Sequence, residues 1–448
     1  MTAGGKADVA APTTKTSRGG DVLGAIVGLL GSMKLAVWLV LILLLLTWLG
    51  TLAQVDRSTY DVQREYFESW FVVAELPLSL WGNPLFADAD GRAFPLKIPL
   101  PGAYPVMALL FANLVVGGMV RLRWSMRNAG VLTIHLGIAF LLVAGFVKLH
   151  YSWAGSLALY EQPTAGDRDP LRAYELSRFV SFHDFELAVL EHRGDQIVER
   201  VVPESELWGA RGSGSVTIRG AGLPFTLQVH HWLDDCRTLP KEQAVQAVLP
   251  VIEGVFLSPV KVRQGEQPKS EMERAGCYVT IFPDGGDRIE TMLWGFPRYP
   301  DDQNRYPFVF QVAGVRYGLD LRHVVHDLPF ALRLDRFQKV DHPGTLTPKD
   351  FRSYVSVVDG GQVSEAQIFM NNPLRKDDFV VYQTSWGPQV NGVPRGGPPW
   401  FSVFEVSYNP SDVWPALACG VIALGLLWHF LAKLSRFLRS SARTSLQS

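Results

Sequence analysis

The chain has 448 residues, with 42 Lys and Arg against 43 Asp and Glu, 48% hydrophobic residues and three Cys. This composition excludes collagen, a coiled coil, global disorder and a disulfide-dense secreted scaffold, and a net charge of -1 gives no footing for a nucleic-acid partner. The charge is unevenly spread, because four stretches, 35–55, 98–120, 128–147 and 413–432, hold no Lys, Arg, Asp or Glu. At about 1.5 Å per helical residue, about 20 residues cross the roughly 30 Å hydrocarbon layer of a bilayer, so each stretch is long enough for a transmembrane helix.

Residues 1–33 read as a cytoplasmic tail: a Gly, Ala, Thr and Ser-rich disordered stretch, then an apolar lead-in, 22–33, too short to span and placed at the membrane interface. The first span, 34–55, is too long for the apolar region of a cleaved signal peptide and reads as a retained anchor. An exported loop, 56–97, follows. The second span, 98–120, opens among Pro99, Pro101 and Pro105, so its regular helix is expected to start near Tyr104. A link, 121–127, with three Arg makes spans two and three, 98–120 and 128–148, an antiparallel hairpin. The segment 149–412 is large enough for one large or two small domains, and 413–432 is the last span before a tail, 433–448.

Lys and Arg near short loops stay on the cytoplasmic side. Residues 1–34 carry four basic and two acidic side chains, the link three basic and no acidic, and the tail four basic and no acidic, whereas 56–97 carries four basic and seven acidic and 148–412 carries 27 and 34. The two sets net +9 and -10. They predict a multi-pass membrane protein with both termini inside and the 56–97 loop and the long segment outside.

Within the long segment, alternating runs predict strands at 215–218, 225–229, 331–334, 354–358 and 380–382, and Asp359-Gly360-Gly361 predicts a hairpin turn. The fold class expected is four transmembrane helices plus a large β-rich domain, an antiparallel sandwich or open barrel, between helices three and four. The decapeptides 223–232 and 328–337 share Leu-Pro-Phe-x-Leu and an aromatic end, which fits either a duplicated half-domain or two strands each opened by Pro.

No nucleotide loop, Gly-x-Ser-x-Gly elbow, Cys-x-x-Cys or Cys-x-x-Cys-His occurs, and no acid, base and nucleophile constellation can be placed, so no catalytic residue is assigned. Cys236 and Cys277 are candidates for a disulfide, with two buried unpaired thiols as the alternative. His135 lies about 4 Å from the middle of span three along the helix axis. Lipid offers it no partner, and the unmet cost is of order 2 kcal/mol or more. Its imidazole either bonds a hydroxyl or carbonyl of a neighbouring helix or ligates a haem iron. His429 lies about 5 Å from the cytoplasmic end of span four and His135 about 12 Å inside the same face, so a second axial ligand is expected from another subunit. Among exported His, the adjacent His230 and His231 point to opposite faces of a strand, His323 and His326 would share a face only on a helix, and His183, His192 and His342 stand apart. No metal other than a haem iron is expected.

Lys34-Leu35-Ala36-Val37 leading to Leu49-Gly50-Thr51-Leu52-Ala53-Gln54, and Ile134-His135-Leu136-Gly137 in span three, resemble the ResB (also CcsB) family of system II cytochrome c biogenesis. The strongest likeness lies at Leu328-Pro329-Phe330 through Phe337, at Glu365 through Asn371-Asn372-Pro373-Leu374, and at Tyr382-Gln383-Thr384-Ser385-Trp386. It covers all four spans and the C-terminal half of the long segment and fades from about 160 to 310. Asn371, Pro373, Leu374, Tyr382 and Gln383 are the family-motif positions. The Cys often found near the cytoplasmic end of span two is missing here.

The resemblance implies a non-catalytic subunit of a cytochrome c synthase that, with a ResC (CcsA)-type membrane protein, exports haem b and supports its attachment to apocytochrome c. It implies His135 as a transmembrane haem ligand, with the opposite ligand on the partner, and a thioredoxin-like thiol reductant as a candidate further partner. The chain lacks the partner's Trp-rich loop, so it resembles the separate subunit rather than a fused synthetase. The alternatives are a haem b electron-transfer membrane subunit and a haem-free membrane-anchored assembly scaffold.

Overall fold

The computed structural model describes residues 18–54, 57–77, 95–163, 172–220, 222–243, 249–260, 274–295, 307–345, 347–390, 393–394 and 399–445. The expected tail 1–17 and the loop segment 78–94 lie outside these residues. The chain divides into a helical unit, residues 1–146 with 413–448, and a second unit, 147–412.

The helical unit opens with α1 (Arg18–Leu30), a helix where the lead-in was expected, and α2 (Met33–Ala53). A short turn of helix, α3 (Thr59–Val62), continues as a π-helical turn, Gln63–Phe67, before β1 (Phe71–Pro77) pairs with β2 (Pro95–Pro101). Leu46, Leu49, Val62, Tyr66, Val72, Ala74 and Ala103 form one buried cluster, so the C-terminal end of α2 is packed against folded chain. The next helix, α4 (Ala103–Asn113), starts one residue before Tyr104, after Pro99 and Pro101 in β2 and with Pro105 in its first turn, and continues as π-helix over Leu114–Val120. After the Arg-rich link come α5 (Ala129–Tyr151) and, at the C-terminal end, α7 (Trp414–Ser445). The last helix runs well past residue 432, where the last span was expected to end, because Lys433 through Ser445 contain no Gly or Pro to stop it. Four helices, Met33–Ala53, Ala103–Val120, Ala129–Tyr151 and Trp414–Ser441, are long and apolar enough to cross a membrane.

Small residues let α5 and α7 approach closely. A Cβ on Gly130 would sit 2.8 Å from the Gly425 carbonyl oxygen, one on Gly425 2.9 Å from that of Gly130, and one on Gly137 2.6 Å from the Ile422 side chain. The Phe140 and Trp414 rings stack at 5.6 Å near the other end of the pair. Such close backbone approach at small residues gives the pair extensive van der Waals contact, the kind of packing by which helices associate in lipid. Gly130→Leu is therefore expected to separate α5 from α7. Size-exclusion chromatography in detergent should then show a loss of the monodisperse full-length species that Gly145→Leu, at an open position, retains.

The second unit is built of antiparallel strands joined mostly by short turns. Its strands are β3 (Trp153–Tyr160), β4 (Glu175–Arg193), β5 (Gln196–Pro203), β6 (Ser215–Ile218), β7 (Phe225–Leu233), β8 (Cys236–Pro240), β9 (Val255–Pro259), β10 (Gly276–Pro283), β11 (Ile289–Trp294) and β12 (Phe308–Val312). There follow β13 (Val315–Asp341), β14 (Pro348–Asp359), β15 (Gln362–Phe369), β16 (Leu374–Lys376), β17 (Phe379–Gly387), β18 (Gln389–Val390), β19 (Val393–Pro394) and β20 (Phe401–Tyr408). A short helix, α6 (Glu204–Leu207), follows β5. All five runs read as strands from the sequence fall within β6, β7, β13, β14 and β17.

The main sheet has the order β15-β14-β13-β4-β3-β20-β17-β16, with β12 on β13 and β5 on β4; a second sheet is β11-β10-β7-β6. The long strands β4 and β13 serve two cores. One half of each packs against the four-stranded sheet, burying Leu187, Leu227, Val229, Ile281 and Leu319 in a sandwich-like lobe. The other half belongs to a lobe in which the main sheet curls over Leu159, Phe179, Leu332, Phe404 and Val406. The curl brings the two ends of that sheet together, with Lys376 Nζ on β16 2.8 Å from Asp359 at the end of β14.

The expected hairpin turn at Asp359-Gly360-Gly361 joins β14 to β15, with φ of 53° and 85° at its glycines. A second tight hairpin, at Asp377-Asp378, uses positive φ of 51° and 64°. The matching decapeptides lie in different sheets, yet both turn equivalent residues inward: Phe225, Leu227 and Trp232 in one core, Phe330, Leu332 and Phe337 buried in the main sheet. Chain entry and exit are neighbours, since Trp153 pairs with Tyr408 and their rings stack at 4.2 Å.

Candidate functional site

His135 lies nearly two turns inside α5, on the strip between the glycine seam with α7 and the end of α4. Its Nδ1 is 2.8 Å from the carbonyl oxygen of Gly118. A carbonyl only accepts, so Nδ1 is the donor, and in a neutral ring Nε2 is then the nitrogen that keeps its lone pair. That is the tautomer in which imidazole binds a metal through Nε2 while its other nitrogen is held by a backbone oxygen. The first of the two sequence readings of His135, a bond to a carbonyl of a neighbouring helix, is the one seen here. If a haem is held here, Nε2 of His135 is the atom that would meet its iron.

His429 does not share this level. Its backbone lies against Gly130, where a Cβ would be 2.8 Å from His429 N, whereas the residues flanking His135, Ile134 and Gly137, face Gly425 and Ile422. Five residues on α5 separate the two histidines, about 7.5 Å along the axis. Two trans ligands on one iron need matched depth, so His429 is not placed as the partner of His135.

The motif positions of the long segment fall in the curled lobe. Asn371 adopts φ 61° in the turn after β15, a conformation that asparagine tolerates better than most residues, and Asn372 donates from Nδ2 to the Gln367 carbonyl at 2.9 Å. Pro373 follows, and Leu374 pairs with Val381. Tyr382 stands at the surface of β17 beside Glu405. Gln383 points inward. Its Oε1 accepts from Ser353 Oγ on β14, Ser353 and Ser402 Oγ lie 2.7 Å apart, and Gln383 Nε2 donates to the Ser385 carbonyl at 3.2 Å. Ser353 and Ser402 are fully buried, so this network fastens β14 to β17 and β20 across the curl.

The adjacent His230 and His231 depart from the strand expectation. A bulge opposite Gly276 and Tyr278 gives His231 a φ of 51°, which turns both rings to one side with their Nδ1 atoms 2.7 Å apart. His230 Nε2 lies 3.2 Å from Thr280 Oγ1 and its ring stacks on Tyr278. Burial first, and His231 second, hold His230 below the usual histidine range. At His230 the folded chain therefore binds fewer protons than the unfolded chain below about pH 6.5, so this residue's contribution to stability is full above that value and is lost as pH falls toward the lowered one. Between about pH 7.5 and 5.5, wild type is expected to lose more thermal stability than His230→Gln. An equal loss in both would show that His230 does not titrate this way.

Cys236 and Cys277 are free thiols within the cores under the four-stranded sheet, both fully buried. Burial, then Asp235, pushes the Cys236 thiol up to about 12, and burial raises Cys277 also. As free thiols they stay protonated at neutral pH and exchange slowly. Elsewhere, His326 stacks on Trp153 at 5.7 Å, and burial holds it below the ordinary range. No group of three or more His, Cys, Asp or Glu able to hold a metal occurs among the described residues.

Three participants escape sequence reasoning. Gly118 is one of several glycines in an apolar span, and Ser353 and Ser402 are ordinary strand residues until the sheet curls. The Gly117-Gly118 pair is the one signal available, since helix interiors disfavour glycine unless something must come close.

Residues 310–394 match the ResB-like family. The chain is also similar to Protein NrfI of Wolinella succinogenes, 32% identical over 112 residues, which is 25% of this chain and 11% of that protein. The match thus spans about a tenth of the length of that relative.

Proposed function

With a ResB-like segment carried on residues 310–394, we propose that this chain is the ResB-type subunit of a membrane cytochrome c synthase. Its role is to take up haem b as cargo within the bilayer and, together with a ResC (CcsA)-type membrane protein, to pass it outward for attachment to apocytochrome c. The family match and the NrfI likeness support a place in cytochrome c biogenesis. The observation that carries the haem-handling step is His135, whose bonded Nδ1 leaves Nε2 for iron.

In this reading the four apolar helices cross the cytoplasmic membrane, both termini face the cytoplasm, and the β-rich unit faces the periplasm. The charge imbalance of +9 against -10 supports that orientation. Haem supplies the iron and macrocycle that end in the cytochrome. The chain contributes a nitrogen ligand and an orienting carbonyl, and the partner contributes the opposite ligand, in keeping with the depth of His429. The β-rich unit binds rather than catalyses. Its acidic surplus favours Lys-rich apocytochromes, while screening beyond about 8 Å at physiological salt limits the reach of that attraction.

The test is copurification. A tagged chain expressed with a ResC-type protein is expected to retain that protein and haem through size exclusion. Recovery of the chain with neither would overturn the proposal.

A further inference from the structure

We infer that Gly118 is the positioning residue for His135: its carbonyl fixes the imidazole as the Nδ1–H tautomer, and its lack of a side chain makes room for the ring. This rests on the haem-ligand reading above.

The carbonyl is available because of where α4 ends. The π-helical turn closes with Arg121 N donating to Val116 O at 3.0 Å, so Gly118 lies in the final turn, where carbonyls have no onward donor along the helix. In an apolar layer such an orphan is costly, and so is an unpartnered imidazole N–H. The bond between Gly118 and His135 satisfies both.

Space is equally specific. A Cβ on Gly118 would stand 2.6 Å from His135 Nδ1 and 3.0 Å from its Cγ and Cε1, so the ring lies directly on the glycine. Even alanine would displace it. The carbonyl itself is held from the other side of the helix. A Cβ on the preceding residue, Gly117, would be 3.2 Å from the Cα of Gly31, and Asn113 Nδ2, about one turn earlier, donates to the Leu30 and Ser32 carbonyls. Gly117 thus seats the helix against the turn between α1 and α2 while Gly118 seats the histidine. A π-helical turn at such a point is a recurrent feature of functional sites.

The consequence is chemical. A hydrogen bond from Nδ1 raises the basicity of Nε2 and fixes the plane in which it meets iron, and loss of such an outer partner costs 10- to 100-fold in metal affinity, to order of magnitude. The first test needs no haem. The haem-free full chain, labelled with 15N-histidine in detergent, is expected to show the His135 ring, identified by its absence in His135→Ala, protonated at Nδ1 and bare at Nε2. A ring protonated at Nε2 would overturn the inference.

The second test uses the complex with the ResC-type protein and haem. Gly118→Ala, and separately Nδ1-methylhistidine at position 135, which keeps Nε2 but removes the donor, are each expected to weaken haem retention about 10- to 100-fold and to alter its Soret band. Should Gly118→Ala fail to fold, the methylhistidine chain decides. Unchanged affinity and spectrum there, in a complex from which His135→Ala removes haem, would sink the positioning role alone; haem retained by His135→Ala would instead sink the ligand assignment.

Discussion

Replacing His135 by alanine is expected to lower the yield of mature cytochrome c at least about tenfold in cells that depend on this chain, since loss of an outer hydrogen-bond partner alone costs about that much in metal affinity and loss of the ligand costs no less. Alanine also leaves the part-buried Gly118 carbonyl without its partner, at a cost of up to about 1 to 3 kcal/mol, so a folding defect must be separated from loss of the ligand. His135→Gln separates the two effects. Its amide can donate to the same carbonyl but is a poor iron ligand, so the variant is expected to accumulate and extract like wild type and yet remain as defective as alanine. Cytochrome c is read by haem-stained gel and chain abundance by immunoblot. A glutamine variant that matures cytochrome c normally would remove the ligand role.

The second large effect is expected in the curled lobe. Gln383→Ala removes the acceptor of the Ser353 hydroxyl and the donor to the Ser385 carbonyl, inside a network whose two serines are fully buried. Leaving such groups unmet costs about 1 to 3 kcal/mol, and the network links strands far apart in the sheet order, so little local relaxation can restore it. For a unit of this size about 1 kcal/mol shifts the midpoint by roughly 2 to 4 °C, which gives a drop of about 3 to 10 °C in thermal unfolding of the detergent-solubilised chain. Tyr382→Phe, one residue away on the exposed side of the same strand, is expected to leave the midpoint within about 1 °C, as surface changes usually do. Equal midpoints for Gln383→Ala and wild type would mean that the motif glutamine has no structural role here.

The four long apolar helices were legible because charge is costly in lipid, so uncharged runs of about 20 residues stand out in the sequence. The start near Tyr104 was legible from proline chemistry, and the hairpin at Gly360-Gly361 from the positive φ that both glycines supply. The end of the last helix was not: composition marks where the apolar layer stops, but a helix of Lys, Leu, Ser, Arg and Phe continues through it. His230 and His231 were misread because period-two reasoning assumes an unbroken ladder, and one residue at φ 51° reverses which face a side chain takes.

At the candidate site the sequence singled out His135 but not its surroundings. A lone histidine deep in an apolar span stands out by its cost, whereas Gly118 acts through its backbone, which every residue possesses. Gln383 was marked by resemblance to a family; that it joins Ser353 and Ser402 depends on the curl of the main sheet, which no local pattern encodes.

The most direct test of the central claim is the optical spectrum of the complex formed by this chain and a ResC-type protein, with haem and protein quantified together. The wild-type complex is expected to carry haem with a Soret band and the low-spin signature of two nitrogen ligands, and the His135→Gln complex, formed in equal amount, to lose most of that haem or shift it to a high-spin form. A His135→Gln complex with undiminished haem and an unchanged low-spin spectrum would contradict it.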